Sequence, residues 1–244
     1  MLIIPECIKS ANVATFDAHH EWDEWNVRDY FMFQEADQFA SLEKLTPKAN
    51  LALAIACGEW ISFRFLPLEG DSRPLQYLEA AWAAVVDPAY CIYTSIDEDE
   101  WRGPVRGPLA ITMAVVNDAI FRQDDAPAAQ EACWMYNLAV SVLPSVDAFD
   151  IWFDVAVSRL GIFHTTDIDV NIDEDIFALT DWQGSPIPRQ ALDPDFSYDP
   201  RQAPTLIDAF LRQLLPDQNP YLRSADEIKQ AGGVNQIPYQ YQPP

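Results

Sequence analysis

TPKANLALAIACGEWISFRF, residues 46–65, sets the reading of the whole chain. Thr is a good N-cap and Pro is favoured at the first helical position, so Thr46-Pro47 starts a helix. Residues 48–65 are apolar on most sides of that helix, and such a helix belongs in the middle of a core. Glu59 and Arg64 break the apolar run between residues 51 and 68, which makes it too short and too charged for a membrane span.

On either side of this segment, most of the chain reads as helix. Upstream, Asp17 is placed to cap a helix through residues 18–45, AHHEWDEWNVRDYFMFQEADQFASLEKL. Its apolar positions Trp22, Trp25, Met32, Ala36 and Phe39 recur at spacings of three, four or seven. Downstream, Ser72 and Pro74 open PLQYLEAAWAAVVD, residues 74–87. A loop is expected over residues 87–108, where Pro, Gly and the acids Asp97, Glu98, Asp99 and Glu100 cluster. Residues 107–121 read as helix despite Ile111, Thr112, Val115 and Val116, with a strand as the competitor. Asp125 and Pro127 open the helix at 128–143, and Ser145 opens the one at 146–161, with Gly161 as its stop. The Pro-rich residues 184–204 must be irregular. Two short helices come next, at 204–215 and 224–233, the second with the capping-box pair Ser224 and Glu227. The tail, VNQIPYQYQPP, is either mobile or docked through its tyrosines.

The fold expected is therefore mainly α. It is a single helical bundle or irregular helical stack spanning residues 1–244, with a helical body at about 14–161 and a loop-rich C-terminal third wrapping it. One segment allows a short acidic β-strand or hairpin. TDIDVNIDEDIF, residues 166–177, alternates Asp167, Asp169, Asn171 and Asp173 with Ile168, Val170 and Ile172, which sends acids and aliphatics to opposite faces of a strand. Read instead as a calcium loop, it has Ile172 where an EF-hand needs Gly and Ala178 where it needs Glu, so both essentials are missing.

Charge is the strongest compositional signal. With 38 Asp and Glu against 15 Lys and Arg, the formal net charge is -23. Such a field repels nucleic-acid phosphates and anionic membranes and speeds encounter with cationic partners. Aromatics at 12% and apolar residues at 49% argue for a real core rather than a disordered acidic chain. Cys7, Cys57, Cys91 and Cys133 are far apart and mostly in apolar contexts, so free reduced thiols and a cytoplasmic location are expected; the first residues, MLIIPECIKS, lack the basic and apolar pattern of a signal peptide.

Catalytic motifs are absent from the sequence. It contains no G-x-S-x-G elbow and no Gly-rich phosphate loop, and His20 is followed four residues later by Glu24, not by a second His. No cofactor and no metal are assigned. The expectation is an acidic, non-enzymatic binding protein, best matched by a bacterial immunity-type inhibitor that occludes a basic toxin or nuclease. Two acidic patches are the expected contacts: Asp97, Glu98, Asp99, Glu100 and Trp101, and Asp167, Asp169, Asp173, Glu174 and Asp175. Trp101 suits the role of anchor if exposed, whereas a loop Trp more often folds back on the core. Two alternatives stand beside this reading. One is a metal-dependent hydrolase using His19, His20, His164 and nearby acids such as Glu24 and Asp167. The other is a scaffold subunit that docks through its Pro-rich tail.

Overall fold

The computed structural model describes residues 2–14, 20–97, 99–122, 128–166, 183–231, 237–241 and 243. Among these the architecture is an all-α stack, with helices α1 (Glu6–Ser10), α2 (Ala36–Leu42), α3 (Pro47–Glu69), α4 (Arg73–Ala84), α5 (Gly103–Phe121), α6 (Ala129–Val142), α7 (Asp147–Phe163), α8 (Ala203–Gln213) and α9 (Ala225–Ala231). The described residues contain no β-sheet. Two isolated antiparallel bridges, Leu45 to Thr165 and Cys91 to Leu222, tie segments together. The acidic strand expected near residues 167–175 lies outside the described residues.

Helix α3 is the axis of the stack, as its sequence requires. The Thr46 hydroxyl accepts the Ala49 N–H at 3.3 Å, Pro47 occupies the first turn, and Gly70 at φ 67° ends the helix in the left-handed conformation. Nearly every residue from Ala49 to Phe65 is buried, and α4, α5, α6 and α7 all pack around it. Among the described residues it is the one helix long and apolar enough to cross a membrane, and it is enclosed by the protein instead. Gly58 lets α5 come close: a Cβ there would lie 2.9 Å from Thr112 Cγ2.

Helix α5 shows burial overriding local propensity. Thr112, Val115 and Val116 are all buried in it, and the Thr112 hydroxyl donates to the Pro108 carbonyl at 2.8 Å. The helix begins at Gly103, inside the stretch expected as loop, because Pro104 fits a first helical turn. Residue 107 is glycine where Trp22 crosses α5; a Cβ there would sit 2.4 Å from the indole ring.

Two further expectations are corrected. The long helix over residues 18–45 does not form; between residues 20 and 42 the chain makes turns, a 3-10 turn at Val27–Tyr30 and then α2. Asp23 favours that outcome. Its carboxylate accepts the Trp25 N–H at 2.9 Å and the Asn26 side-chain amide at 2.8 Å, a local alternative to helical bonding. Trp25, one of the periodic apolar positions, is left 95% exposed. Gly161 does not stop α7 either, which continues to Phe163 before His164 closes it.

The C-terminal third holds the body by specific hydrogen bonds. The Gln183 carbonyl accepts the Lys48 N–H, Trp152 Nε1 donates to the Leu192 carbonyl at 2.9 Å, and Ile92 N–H donates to the Tyr221 carbonyl at 2.9 Å. Helix α9 starts with the expected capping box: Ser224 N–H donates to Glu227 Oε2 at 2.8 Å and Glu227 N–H to Ser224 Oγ at 3.3 Å. The tail is docked through its tyrosines. The Tyr239 hydroxyl donates to the Arg223 carbonyl, its ring packs 5.1 Å from that of Tyr90, and Tyr241 N–H donates to Asp208 Oδ1.

Candidate functional site

A cleft of about 110 Å³ lies where the start of the chain, α3, α4, α7 and the Pro-rich segment meet. Glu59, on the mostly apolar α3, lines it and is 2% exposed. Arg189 reaches it from the Pro-rich segment in a two-pronged contact, Nε to Oε1 at 2.7 Å and Nη2 to Oε2 at 2.6 Å. Trp82 Nε1 donates to Oε1 at 2.6 Å, and Arg189 Nη2 also donates to the Ile3 carbonyl at 2.7 Å. One carboxylate therefore joins α3, α4, the first residues and the C-terminal third. Both of its oxygens accept hydrogen bonds, which makes it a structural clamp.

Cys7 lines the same cleft, and burial pushes its thiol up to about 11. Cys57, Cys91 and Cys133 are raised for the same reason, and all four cysteines are free. Thiols held this way stay protonated at neutral pH and are poor nucleophiles.

The histidines do not converge. His20 packs its ring 5.5 Å from Phe65, near the end of α3, whereas the His164 carbonyl accepts the Thr46 N–H at the opposite end. The advance of nineteen positions from Thr46 to Phe65 spans about 28 Å of helix. Among the described residues no group of three His, Cys, Asp or Glu side chains is placed to hold a metal ion. His19 and Asp167 lie outside the described residues.

His164 is instead a structural residue. It is buried, and its Nε2 lies 3.2 Å from the Tyr198 hydroxyl. Burial lowers its pKa from about 6.5 to about 4. Between those values the unfolded chain holds a proton that the folded chain does not. Stability is therefore complete above about pH 6.5 and is lost as pH falls toward 4, by about 3 kcal/mol for this group. Denaturant titrations from pH 4 to 7 should show that His164→Gln flattens this acid-side slope. An unchanged slope would mean that the histidine is not the proton acceptor.

The patch at Asp97–Trp101 is built differently from the exposed anchor that its sequence allows. Trp101 is 6% exposed and sits between two guanidinium groups, with Arg73 4.8 Å and Arg106 5.7 Å from its ring. Arg73 pairs with Glu100 at 2.5 Å and with Asp71 at 2.7 Å, and Arg106 pairs with Glu69. The ring is thus an internal platform for cations, and Glu100 is already neutralised. Asp97 accepts the Asp99 N–H at 2.9 Å, and Asp99 pairs with Arg102 at the surface. Glu98 and the whole second patch, Asp167, Asp169, Asp173, Glu174 and Asp175, lie outside the described residues.

The same internal use of positive charge runs through the fold. Lys9 pairs with Glu6, Arg201 with Asp199, Arg212 with Asp208 and Lys229 with Asp226. Lys48, Arg159 and Arg223 donate to main-chain carbonyls. Arg64 is buried in α3. Most of the cations are thus committed within the chain, each to a carboxylate or carbonyl of its own.

Sequence reading missed Glu59 with Arg189, and the outward face of α7. The signal for the first was present: a lone carboxylate in an apolar helix must find a partner when buried. In comparisons with known proteins, no family model, no curated protein and no solved structure matches this chain.

Proposed function

We propose that this chain is an acidic protein-binding protein of the immunity type, which occludes a basic toxin or nuclease-like partner in the bacterial cytoplasm. The observation that carries the reading is the internal commitment of its cations. With Arg73, Arg106, Arg189 and others engaged by the fold, the surplus behind the net charge of -23 is left as an outward negative field. Such a field accelerates capture of a cationic protein and disfavours nucleic acid and anionic lipid. In the cleft, Glu59 and Arg189 are engaged by each other.

The acids at 167–175 and the exposed Asp97 and Asp99 are the proposed steering groups. Affinity capture at low salt should retain one basic protein at near-equal stoichiometry, and a high-salt wash should release it. Replacing Asp167, Asp169, Asp173, Glu174 and Asp175 by their amides should then slow association about tenfold and flatten its salt dependence. An on-rate unaffected by that change removes the patch from the mechanism. Failure to retain any basic protein makes the charge a matter of solubility.

A further inference from the structure

Resting on the reading of a cationic protein partner, we infer that the outward face of α7 is the docking surface and that its occupant is a cationic amphipathic helix. Helix α7 is apolar on two sides. Its inner side buries Phe149, Trp152, Phe153, Ala156 and Leu160. Its outer side carries Ala148, Ile151, Val155 and Ile162, at spacings of three, four and seven that place them on one face, with exposed Ser158 as the one polar residue between Val155 and Ile162. Ile151 is 67% exposed, Val155 40% and Ile162 69%. A surface helix ordinarily turns polar residues outward, so a second aliphatic stripe is uncompensated exposure unless something covers it.

The flank of the stripe identifies the cover. Asp147 and Asp154 are exposed beside it, and Asp150, between them in sequence, accepts the Tyr136 hydroxyl at 2.9 Å. The single cation of α7, Arg159, is turned to the Pro-rich segment, where it donates to the carbonyls of Ala191, Asp193 and Pro194. The face is thus aliphatic with a purely acidic margin. A second copy of this chain would set those acids against their own images, and an anionic membrane would be repelled. A helix with an aliphatic seam and Lys or Arg beside it meets both features at once. From Ile151 to Ile162 the stripe runs about 17 Å, three turns of contact for such a helix.

The test uses two peptides of about 18 residues and identical Lys and Leu composition, one with leucines at helical spacing and one scrambled. Binding to the full chain is measured across a salt series, with the Ile151→Ser/Ile162→Ser double variant alongside. Both positions are exposed, so this variant should keep the wild-type melting temperature. The inference expects the amphipathic peptide to bind about tenfold more tightly than the scrambled one, and the double variant to erase that preference while keeping the salt dependence. Equal, salt-sensitive binding of both peptides overturns the α7 inference and leaves the cationic-partner reading standing. Absence of binding by either peptide at low salt removes both. A concentration-dependent dimer that the double variant dissolves makes a second copy the occupant and also overturns the inference.

Discussion

Arg189→Met will lower the stability of the chain by about 3 kcal/mol, the usual cost of stripping one partner from a buried ion pair. Glu59 would remain 2% exposed at the junction of α3 and α4, with Trp82 Nε1 as its remaining donor. In a domain of this size the loss corresponds to a fall in melting temperature of roughly 6–12 °C. Arg189 also holds the Ile3 carbonyl, so the start of the chain should loosen together with the Pro-rich segment. The double variant Glu59→Leu/Arg189→Met should recover part of the loss, because no buried charge is left unpaired. Thermal denaturation of the two singles and the double supplies the cycle. Additive losses would show that the contact is not a coupled pair. Single variants with wild-type melting temperatures would show that the clamp holds nothing.

Trp60→Ala will cost about 3–5 kcal/mol, the range for removing a buried aromatic side chain. Trp60 is 1% exposed and lies at the meeting point of α3 and α7, with Phe149 5.4 Å and Trp152 5.6 Å from its ring. Its loss opens a cavity beside the cleft at Glu59 and removes edge-to-face aromatic contacts as well as apolar area. Trp60→Phe keeps a ring and should cost much less. Near-UV circular dichroism should lose intensity in the alanine variant before far-UV helicity changes, because the packing of α7 fails before the helices do. A stability loss below about 1 kcal/mol would place the core's anchor elsewhere. Since α7 also carries the proposed docking stripe, Trp60→Ala should weaken the amphipathic peptide as well.

The helices that could be read in advance share one property: their signals are local. Thr46-Pro47 starts α3 and Ser224 with Glu227 starts α9, because a cap is a contact between residues a few positions apart. The segment at 18–45 misled because its apolar spacing is helical while Asp23 binds its own neighbours, and the competition between the two is settled by where Trp22 and Tyr30 pack. In α5 the segment read as helix with a strand as competitor because of its β-branched residues, and burial against α3 and α4 accompanies the helix. Trp101 suited a surface anchor only if exposed, and a loop Trp more often folds back on the core. Two arginines, one of them on α4, made it internal.

A mainly helical chain built on residues 46–65, with free cysteines and a large negative surplus, was legible in the sequence alone, because composition and short-range periodicity are written into neighbouring residues. Which charges were left over was settled only by the tertiary fold. Glu59 meets Arg189 across 130 positions, Arg73 meets Glu100 across 27, and α7 turns one apolar stripe inward and the other to solvent. Pairing and exposure of that kind follow from how the chain closes on itself, and a carboxylate carries no mark along the chain of which arginine will reach it.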